Sequence, residues 1–388
     1  MNVPKLRFKE FNDEWQKVKI SSFVNESKRK TGDIKKYPLW SLTIENGVTP
    51  KTDRYERSFL VKKEDNYKIV YPNYYVYNPM NAHLGAIARN KSDKSISVSG
   101  YYDIFSINND YYGFYDNYFI SPVMFKKYKL ISSGSLLEKQ RVHYSQFKEL
   151  KIYLPSDKEQ KKIADMLELL DKKIELQTKR IEVLKLFKKG LLNFFFENKK
   201  TNGTIENCIL YGKAGGPPAS NIKDYYNGNI PFLSISDMTS QRKYILKTEK
   251  SISQQGIRDS SAWIVPKNSI ILSMYASYGL IAINKIELAT SQAMFSMIVN
   301  SKNNIEYIYY YLEFLYNNNY YDRLVSIGTQ ANLNADKVKI IKIYLLDINS
   351  QNKISKILKL CDERIEYENK IEFELSKFKQ GLMQNMFV

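Results

Sequence analysis

From Ile163 onward the apolar residues of this chain run Ile163, Leu167, Leu170, Ile174, Ile181, Leu184, Leu191 and Phe195, in steps of four and three interrupted at Gln177 and Lys188. That is the heptad period of a long amphipathic helix with a narrow apolar stripe. The spacing returns as Ile354, Leu358, Cys361, Ile365, Leu375, Leu382 and Met386, with Glu368 and Glu372 weakening its middle. Pro155 and Ser156, with Glu159 three residues on, predict the start of the first helix through a capping box. Roughly 40 residues at ~1.5 Å each make a rod of about 60 Å. Neither stripe buries itself, so the economical arrangement is that the two helices pair, antiparallel, as a coiled coil. The alternative is that each packs on its own domain. Gly190 and Gly381, late in the two seams, mark a kink or a close helix crossing.

Outside the helices the pattern shortens to strand length. Lys68 to Asn78, around Pro72, and Trp263 to Ser273, around Pro266, are rich in Val, Ile and Tyr; Ser97 to Asn108 and Ser291 to Val299 are further strand candidates. Ile305 to Tyr316 reads as a helix that is apolar almost all round. The globular stretches are thus mixed α/β, of the α+β class. The Tyr clusters at 74–77, 309–311 and 320–321 suit core packing for half of each and base stacking for the rest.

The chain contains itself twice. Residues 150–196 align with 341–387 at a fixed offset of 191, with 19 of 47 positions identical and no gap. Lys151, Ile152, Tyr153 and Leu154 return as Lys342, Ile343, Tyr344 and Leu345; Gln160 as Gln351; Asp171 as Asp362; Phe187, Lys188, Gly190 and Leu191 as Phe378, Lys379, Gly381 and Leu382. Fainter echoes lie upstream: Pro72, Met80, Ala82, Gly85, Ile87 and Ala88 match Pro266, Met274, Ala276, Gly279, Ile281 and Ala282. Two copies are too few and too long for a solenoid and predict a pseudo-twofold internal repeat. The globular parts diverge while the helices do not, as expected of like frames carrying readers of different things.

Composition narrows the class. The 388 residues are 43% hydrophobic and carry a net charge of +18, of which +9 falls on residues 1–157, +5 on 158–200, +3 on 201–348 and +1 on 349–388. The aromatic load, with 31 Tyr, excludes intrinsic disorder. Two Cys exclude a disulfide scaffold, and Cys208 and Cys361 read as reduced, buried thiols of a cytoplasmic protein. No apolar run approaches the roughly 20 residues that span a bilayer, the first ten residues do not form a signal peptide, and two His exclude a histidine-rich metal site. The surplus of basic residues points to a polyanion such as nucleic acid, against the plainer reading of solubility.

No catalytic motif emerges. The chain has no G-x-x-x-x-G-K-[ST] string, no glycine-rich dinucleotide turn, no paired-cysteine metal spacing and no H-E-x-x-H. Asn78-Pro79-Met80-Asn81 faintly resembles the base-holding string of amino-methyltransferases but reads as a turn after a strand. Gly215-Gly216-Pro217-Pro218-Ala219-Ser220 suits a rigid turn better than a phosphate nest. His143 has no identifiable Cys or Ser partner and reads as structural.

The duplicated plan resembles the DNA-specificity subunit of type I restriction-modification systems. The strongest local carriers are Leu150 to Pro155 followed by Glu159-Gln160-Lys161-Lys162-Ile163-Ala164, Leu167, Leu170-Asp171 and Ile174, similar to that family's "i-x-i-P…E-Q-x-x-I-A-x-x-L…L-D-x-x-I". Copy two keeps Gln351, Ile354, Leu358, Asp362 and Ile365 but has Leu346 for Pro and Ser350 for Glu. Gly215 to Ser220, Tyr225, Ile230-Pro231 and Asp237 resemble a common recognition-domain opening, and Gly328-Thr329-Gln330 a family loop; the first domain lacks the opening string.

The resemblance implies target-recognition domain 1 over residues 1–149, a helical spacer over 150–200, target-recognition domain 2 over 201–340 and a second spacer over 341–388. It implies a non-catalytic subunit that reads a bipartite target in double-stranded DNA, its half-sites about one helical turn apart. The helices act as a ruler and dock two methyltransferase subunits; restriction subunits join them. S-adenosylmethionine, ATP and Mg2+ are expected on those partners, and no cofactor or metal on this chain, for a holoenzyme that methylates adenine N6 and cleaves DNA. Candidate DNA contacts are Lys28, Arg29, Lys30, Lys51, Arg54, Arg57, Asn81, His83, Arg89, Lys213, Ser220, Asn221, Arg242, Lys243, Tyr275, Tyr278 and Gln330. Candidate coiled-coil and docking positions are Ile163, Leu167, Leu170, Ile174, Ile181, Leu184, Leu191, Ile354, Leu358, Ile365, Leu375 and Leu382. The rival readings are a coiled-coil protein scaffold and a stand-alone DNA-binding regulator that works without methylase subunits.

Overall fold

A computed structural model describes residues 3–51, 67–133, 141–275, 277–324 and 333–388. The chain forms two compact units, Met1–Thr178 with Lys370–Val388, and Lys179–Asn369. The first contains α1 (Tyr112–Tyr118), α2 (Pro122–Ile131), α3 (Tyr144–Glu149) and the start of α4 (Asp157–Phe196). The second contains the rest of α4, then α5 (Ile205–Cys208), α6 (Ile235–Gln241), α7 (Gln254–Arg258), α8 (Ile305–Asn317), α9 (Ala335–Lys339) and most of α10 (Ile348–Met386), whose last turns belong to the first unit.

Each unit is built on one sheet plan. In the first the strand order is Val24–Ser27, Asp103–Ile107, Tyr75–Tyr77, Ile87–Arg89, antiparallel throughout. In the second it is Ile209–Ala214, Met294–Val299, Ile270–Ser273, Ile281–Asn284, again antiparallel, with Tyr244–Ile245 added parallel at the edge. The turns between matched strands carry Gly85 (φ 100°) and Gly279 (φ 84°), a left-handed backbone that glycine adopts without strain. The faint upstream echo in the sequence therefore marks one hairpin, made twice.

The strand predictions hold in part. Lys68 to Asn78 is two strands, Tyr67–Val70 and Tyr75–Tyr77, because Pro72 and Asn73 (φ 66°) turn the chain between them. Ser97 to Asn108 is likewise split into Ile96–Ser99 and Asp103–Ile107, and Trp263 to Ser273 is a strand only over Ile270–Ser273. α8 forms where expected, capped by the Asn304 side chain on the Tyr307 N–H, and buries Tyr307 to Leu312. Tyr75, Tyr77, Tyr309, Tyr310, Tyr311 and Tyr321 are core residues; Tyr74 and Tyr320 are half-buried. The Gly215 turn is rigid: a Cβ there would meet the Thr290 carbonyl oxygen at 1.9 Å. Asn78 turns the chain after Tyr75–Tyr77, its side chain accepting the Met80 N–H at 3.1 Å. Cys208 is buried, Cys361 half-buried, and both are free thiols.

Candidate nucleic-acid interface and helix pair

Both long helices start the same way. A short strand runs into each: Lys151–Leu154 pairs antiparallel with Gln16–Lys19, and Lys342–Ile343 with Gly203–Thr204. One turn into each helix a buried glutamine amide folds back to donate to the carbonyl of the incoming chain, Gln160 to Pro155 at 3.0 Å and Gln351 to Leu346 at 2.8 Å. The capping differs from expectation. The buried Glu159 carboxylate receives both Nε and Nη2 of Arg7 at 2.8 Å, a side-on bidentate pairing across 152 positions of sequence that a local capping rule does not register. At α10, Asp347 caps instead, accepting the Asn349 and Ser350 N–H groups; these bonds hold its carboxyl below the usual range.

The seam is closed by the chain itself. Ile163, Leu167, Ile181, Ile354 and Leu358 are buried, and Leu170, Ile174, Leu184, Leu191, Ile365, Leu375 and Leu382 half-buried. In the first unit Lys379 of α10 reaches Asp171 of α4 at 2.5 Å, and Thr178 donates to Glu372. In the second, Lys188 of α4 reaches Asp362 of α10 at 2.6 Å, and Arg180 reaches Glu368 at 3.2 Å. Within each unit the two helices therefore run antiparallel, as the repeat predicts. The Lys–Asp pairs are one interaction made twice, each member 191 positions from its counterpart. Lys188, which breaks the apolar stripe, is an anchor and not a defect. Glu368 is fully buried and is held by Arg364 at 2.6 Å as well as by Arg180.

The helix ends also match. Phe196, closing α4, lies 5.4, 5.2 and 5.7 Å from the rings of Tyr307, Tyr311 and Phe314. Phe387, just past α10 and 191 positions later, lies 5.6 and 5.2 Å from Phe114 and Tyr118. α4 thus seats its last aromatic in the core of the second unit, and the residue just past α10 sits in the core of the first.

The predicted DNA contacts divide by burial. Lys28, Arg29, Lys30, Lys51, Asn81, Lys213, Ser220, Asn221 and Arg242 are exposed. Arg29 donates to the Tyr71 hydroxyl at 2.9 Å, beside a concavity that Lys28, Asn25, Tyr74 and Ser106 also line. Arg242 holds a left-handed φ of 62° at the end of α6. His83 is half-buried, and burial followed by nearby Lys129 holds its imidazole below the usual range. Tyr275 packs on the second core, and Tyr278 donates to Asp322 at 2.9 Å. Arg54, Arg57 and Gln330 lie outside the described residues, as does Gly328-Thr329.

Two assignments need correction. Arg89 is committed to Asp116 (2.9 Å) and Asn73, with its guanidinium over the Tyr112 ring. Lys243 is half-buried and held by Glu306 (2.6 Å), Asp362 (3.1 Å) and the Tyr310 hydroxyl (2.5 Å). Neither ammonium nor guanidinium is free to grip a phosphate, because taking either away leaves partly buried carboxylates unpaired.

Comparison with known proteins decides the family. The pattern described as the type I restriction modification DNA specificity domain matches residues 12–186 and again 208–377. The chain belongs to the type I restriction-modification DNA specificity family. Among curated members, the type I restriction enzyme MjaIX specificity subunit of Methanocaldococcus jannaschii is 29% identical over 175 residues, 45% of this chain and 40% of that protein. The MjaX specificity subunit, described as putative, of the same organism is 26% identical over 62% of this chain and 59% of its own length. The EcoR124I/EcoR124II subunit of Escherichia coli is 27% identical over 58% of each. The chain spans about two-fifths to three-fifths of the length of these relatives. Two solved structures share the fold: the type I S subunit from M. genitalium (TM-score 0.58, 16% identity, 100% of this chain and 99% of that one) and a chain from a study of assembly and conformational transition of the type I R-M system (TM-score 0.62, 14% identity, 97% and 98%).

One feature of this specificity-family member does not show in the main heptads. A second apolar row faces outward on each helix: Leu169, Leu176, Val183 and Phe187 on α4, and Leu360, Tyr367 and Phe378 on α10, each between 55% and 70% exposed. Leu169 pairs with Leu360, Leu176 with Tyr367 and Phe187 with Phe378 at the offset of 191. The seam residues expected to dock partners are thus turned inward, and the outward rows are the free apolar surface. The signal was present in the sequence as a second heptad row, offset from the first.

Proposed function

We propose that this chain is the DNA-specificity subunit of a type I restriction-modification enzyme. Residues 1–149 and 201–340 are its two target-recognition domains, each reading one half of a bipartite duplex target. Residues 150–200 and 341–388 are the spacers whose helix pair sets the distance between half-sites. The observation that carries this reading is the doubled plan: one sheet order, one helix start and one Lys–Asp pair, each made twice under dissimilar loops. A frame so repeated presents two different readers in equivalent settings, which suits a target with two unlike halves.

The chemistry falls to partner chains. Two methyltransferase subunits, carrying S-adenosylmethionine, dock one on each outward apolar row and methylate adenine at N6; two rows matched at three positions suit two copies of one partner. Restriction subunits with ATP and Mg2+ complete the endonuclease in the cytoplasm. Exposed cations such as Lys28, Arg29, Lys30, Lys51, Lys213 and Arg242, with Arg54 and Arg57, hold the phosphates; Asn81, Ser220, Asn221 and Gln330 read base edges. His83, Tyr275 and Tyr278 support the reading loops.

The test is a chimera. The chain is co-expressed with its methyltransferase subunit and methylated adenines are mapped across the host genome, with residues 1–149 native or exchanged for those of another family member. One half of the methylated sequence should change and the other half and the spacer should stay. A change in both halves, or methylation at no bipartite sequence, refutes the reading.

A further inference from the structure

Lys243 was expected at a DNA surface and is found half-buried in a cluster of carboxylates and tyrosines. It follows α6 and leads into Tyr244–Ile245, an edge strand with no counterpart in the first unit's sheet among the described residues. Its ammonium joins two elements of the second unit that do not adjoin in sequence: Glu306 at the start of α8 and Asp362 on α10, with the rings of Tyr310, Tyr244 and Tyr309 at 4.1, 5.0 and 5.1 Å. Asp362 is the meeting point. One oxygen takes Lys188 at 2.6 Å, and the other takes Lys243 and the Tyr310 hydroxyl at 2.6 Å. Lys188 in turn holds Glu313 at 2.7 Å.

The equivalent place in the first unit is built differently. Asp171 takes Lys379, but the cation on the neighbouring sheet strand, Arg89, is spent on Asp116. Among the described residues, the ion pairs give the first unit's Asp171 no cation from its sheet. A sheet packed on a helix through apolar contacts can rock about that contact, since such contacts lack direction. An ion pair at the sheet's edge is directional and resists that rocking.

We propose that Lys243 is a positioning residue: by tying the edge of the second sheet to Asp362 it sets the orientation of the second recognition domain on the helix pair, and so fixes the spacer that the subunit accepts. This rests on the specificity-subunit reading. One base-pair step is about 3.4 Å along the duplex, a displacement that a modest tilt of a reading loop reaches. Loss of the tie should relax the spacer and leave the half-site bases unchanged, which a merely structural lysine would not do.

The experiment uses the full chain with its methyltransferase subunit and maps methylated adenines in cells. The wild type gives one spacer length. Lys243→Met should add sites one base pair longer or shorter at a tenth or more of the cognate level, with the same half-site bases; Lys243→Arg should restore one spacer. Because Lys243→Met leaves Glu306 and Asp362 without that cation, a second variant, Lys243→Met with Glu306→Gln and Asp362→Asn, removes the uncompensated charge and should show the same relaxed spacer. A single spacer in either variant, or loss of half-site and spacer discrimination together in both, overturns the proposal. Absence of any bipartite methylation by the wild type overturns instead the reading on which it rests.

Discussion

Truncating the two helix-end aromatics should damage different units: Phe196 the second, which it enters at the end of α4, and Phe387 the first, from which it is remote in sequence. Phe196 closes the helix that follows the first globular part, yet its ring is 3% exposed inside the second core; Phe387 is 4% exposed inside the first. Phe to Ala in a packed core costs about 3–5 kcal/mol, transfer and cavity terms together. Phe196 should fall at the upper end, because three rings lose a partner, and Phe387 somewhat lower with two. At roughly 2–4 °C per kcal/mol for a unit of this size, Tm should drop on the order of 10 °C. The assay is native-state hydrogen exchange resolved by peptide. Phe196→Ala should lose protection in α8 and in Ile270–Ser273 while α1 and Tyr75–Tyr77 keep theirs, and Phe387→Ala should do the reverse. Loss of protection in α1 on truncating Phe196 would mean that Phe196 does not belong to the second core, and the twofold plan of the fold would fail with it.

Three further outcomes follow from the same geometry. Leu169→Ser or Leu360→Ser should shift stability by no more than ~0.5 kcal/mol, as surface changes do, yet each should limit the assembly to one methyltransferase subunit by native mass spectrometry, and the pair to none; two subunits on the double variant removes the outward rows from the docking surface. Replacing Lys28, Arg29, Lys30, Lys51 or Arg242 by Ala should each flatten the log–log salt dependence of duplex binding by up to ~1, and a slope left intact takes that residue out of the interface. Burial alone would raise the Asp362 carboxyl, but the ammonium groups of Lys188 and Lys243 outweigh it and hold it below the usual range; such an acid stabilises the fold above its unfolded value of roughly 3.9 and loses that contribution as pH falls through the folded value. Asp362→Asn should therefore cost about 3 kcal/mol at neutral pH and flatten the acid limb of the stability curve below about pH 4; an acid limb as steep as the wild type's would show that Asp362 does not carry it.

Periodic features were legible in the sequence because they are local. The seam from Ile163 to Leu191 and its copy, α8, and the offset of 191 all come from spacing along one chain. Turn geometry was half-legible: strand propensity in Lys68 to Asn78 is continuous, and only the left-handed Asn73 after Pro72 shows where the strand ends. Partners of charged groups were not legible. Glu159 meets Arg7 from 152 positions away, and Lys243 meets Asp362 from 119. Arg89, Lys243 and Lys188 look alike in sequence to the exposed Lys28 or Arg242, since burial decides whether a cation is structural and the sequence does not state burial. The outward row at Leu169 and Leu176 was readable but was overshadowed by the stronger inward row beside it.

The internal ion pairs also locate the charge that matters for DNA. Arg7, Lys68, Arg89, Lys188, Lys243 and Lys379 are each matched by carboxylates of the same chain: Glu159, Asp103, Asp116, Glu313 and Asp362, Glu306 and Asp362, and Asp171. Those six cations face seven carboxylates, so the set is close to neutral. Removing it from the total leaves the net charge of +18 essentially intact, carried by the remaining groups, among them the exposed lysines and arginines of the loops. The composition misled about which residues were available and was right about the surplus. A polyanion meets that surplus at the surface, while the buried pairs hold the surfaces in place; the first should respond to salt over the range where screening acts, and the second hardly at all.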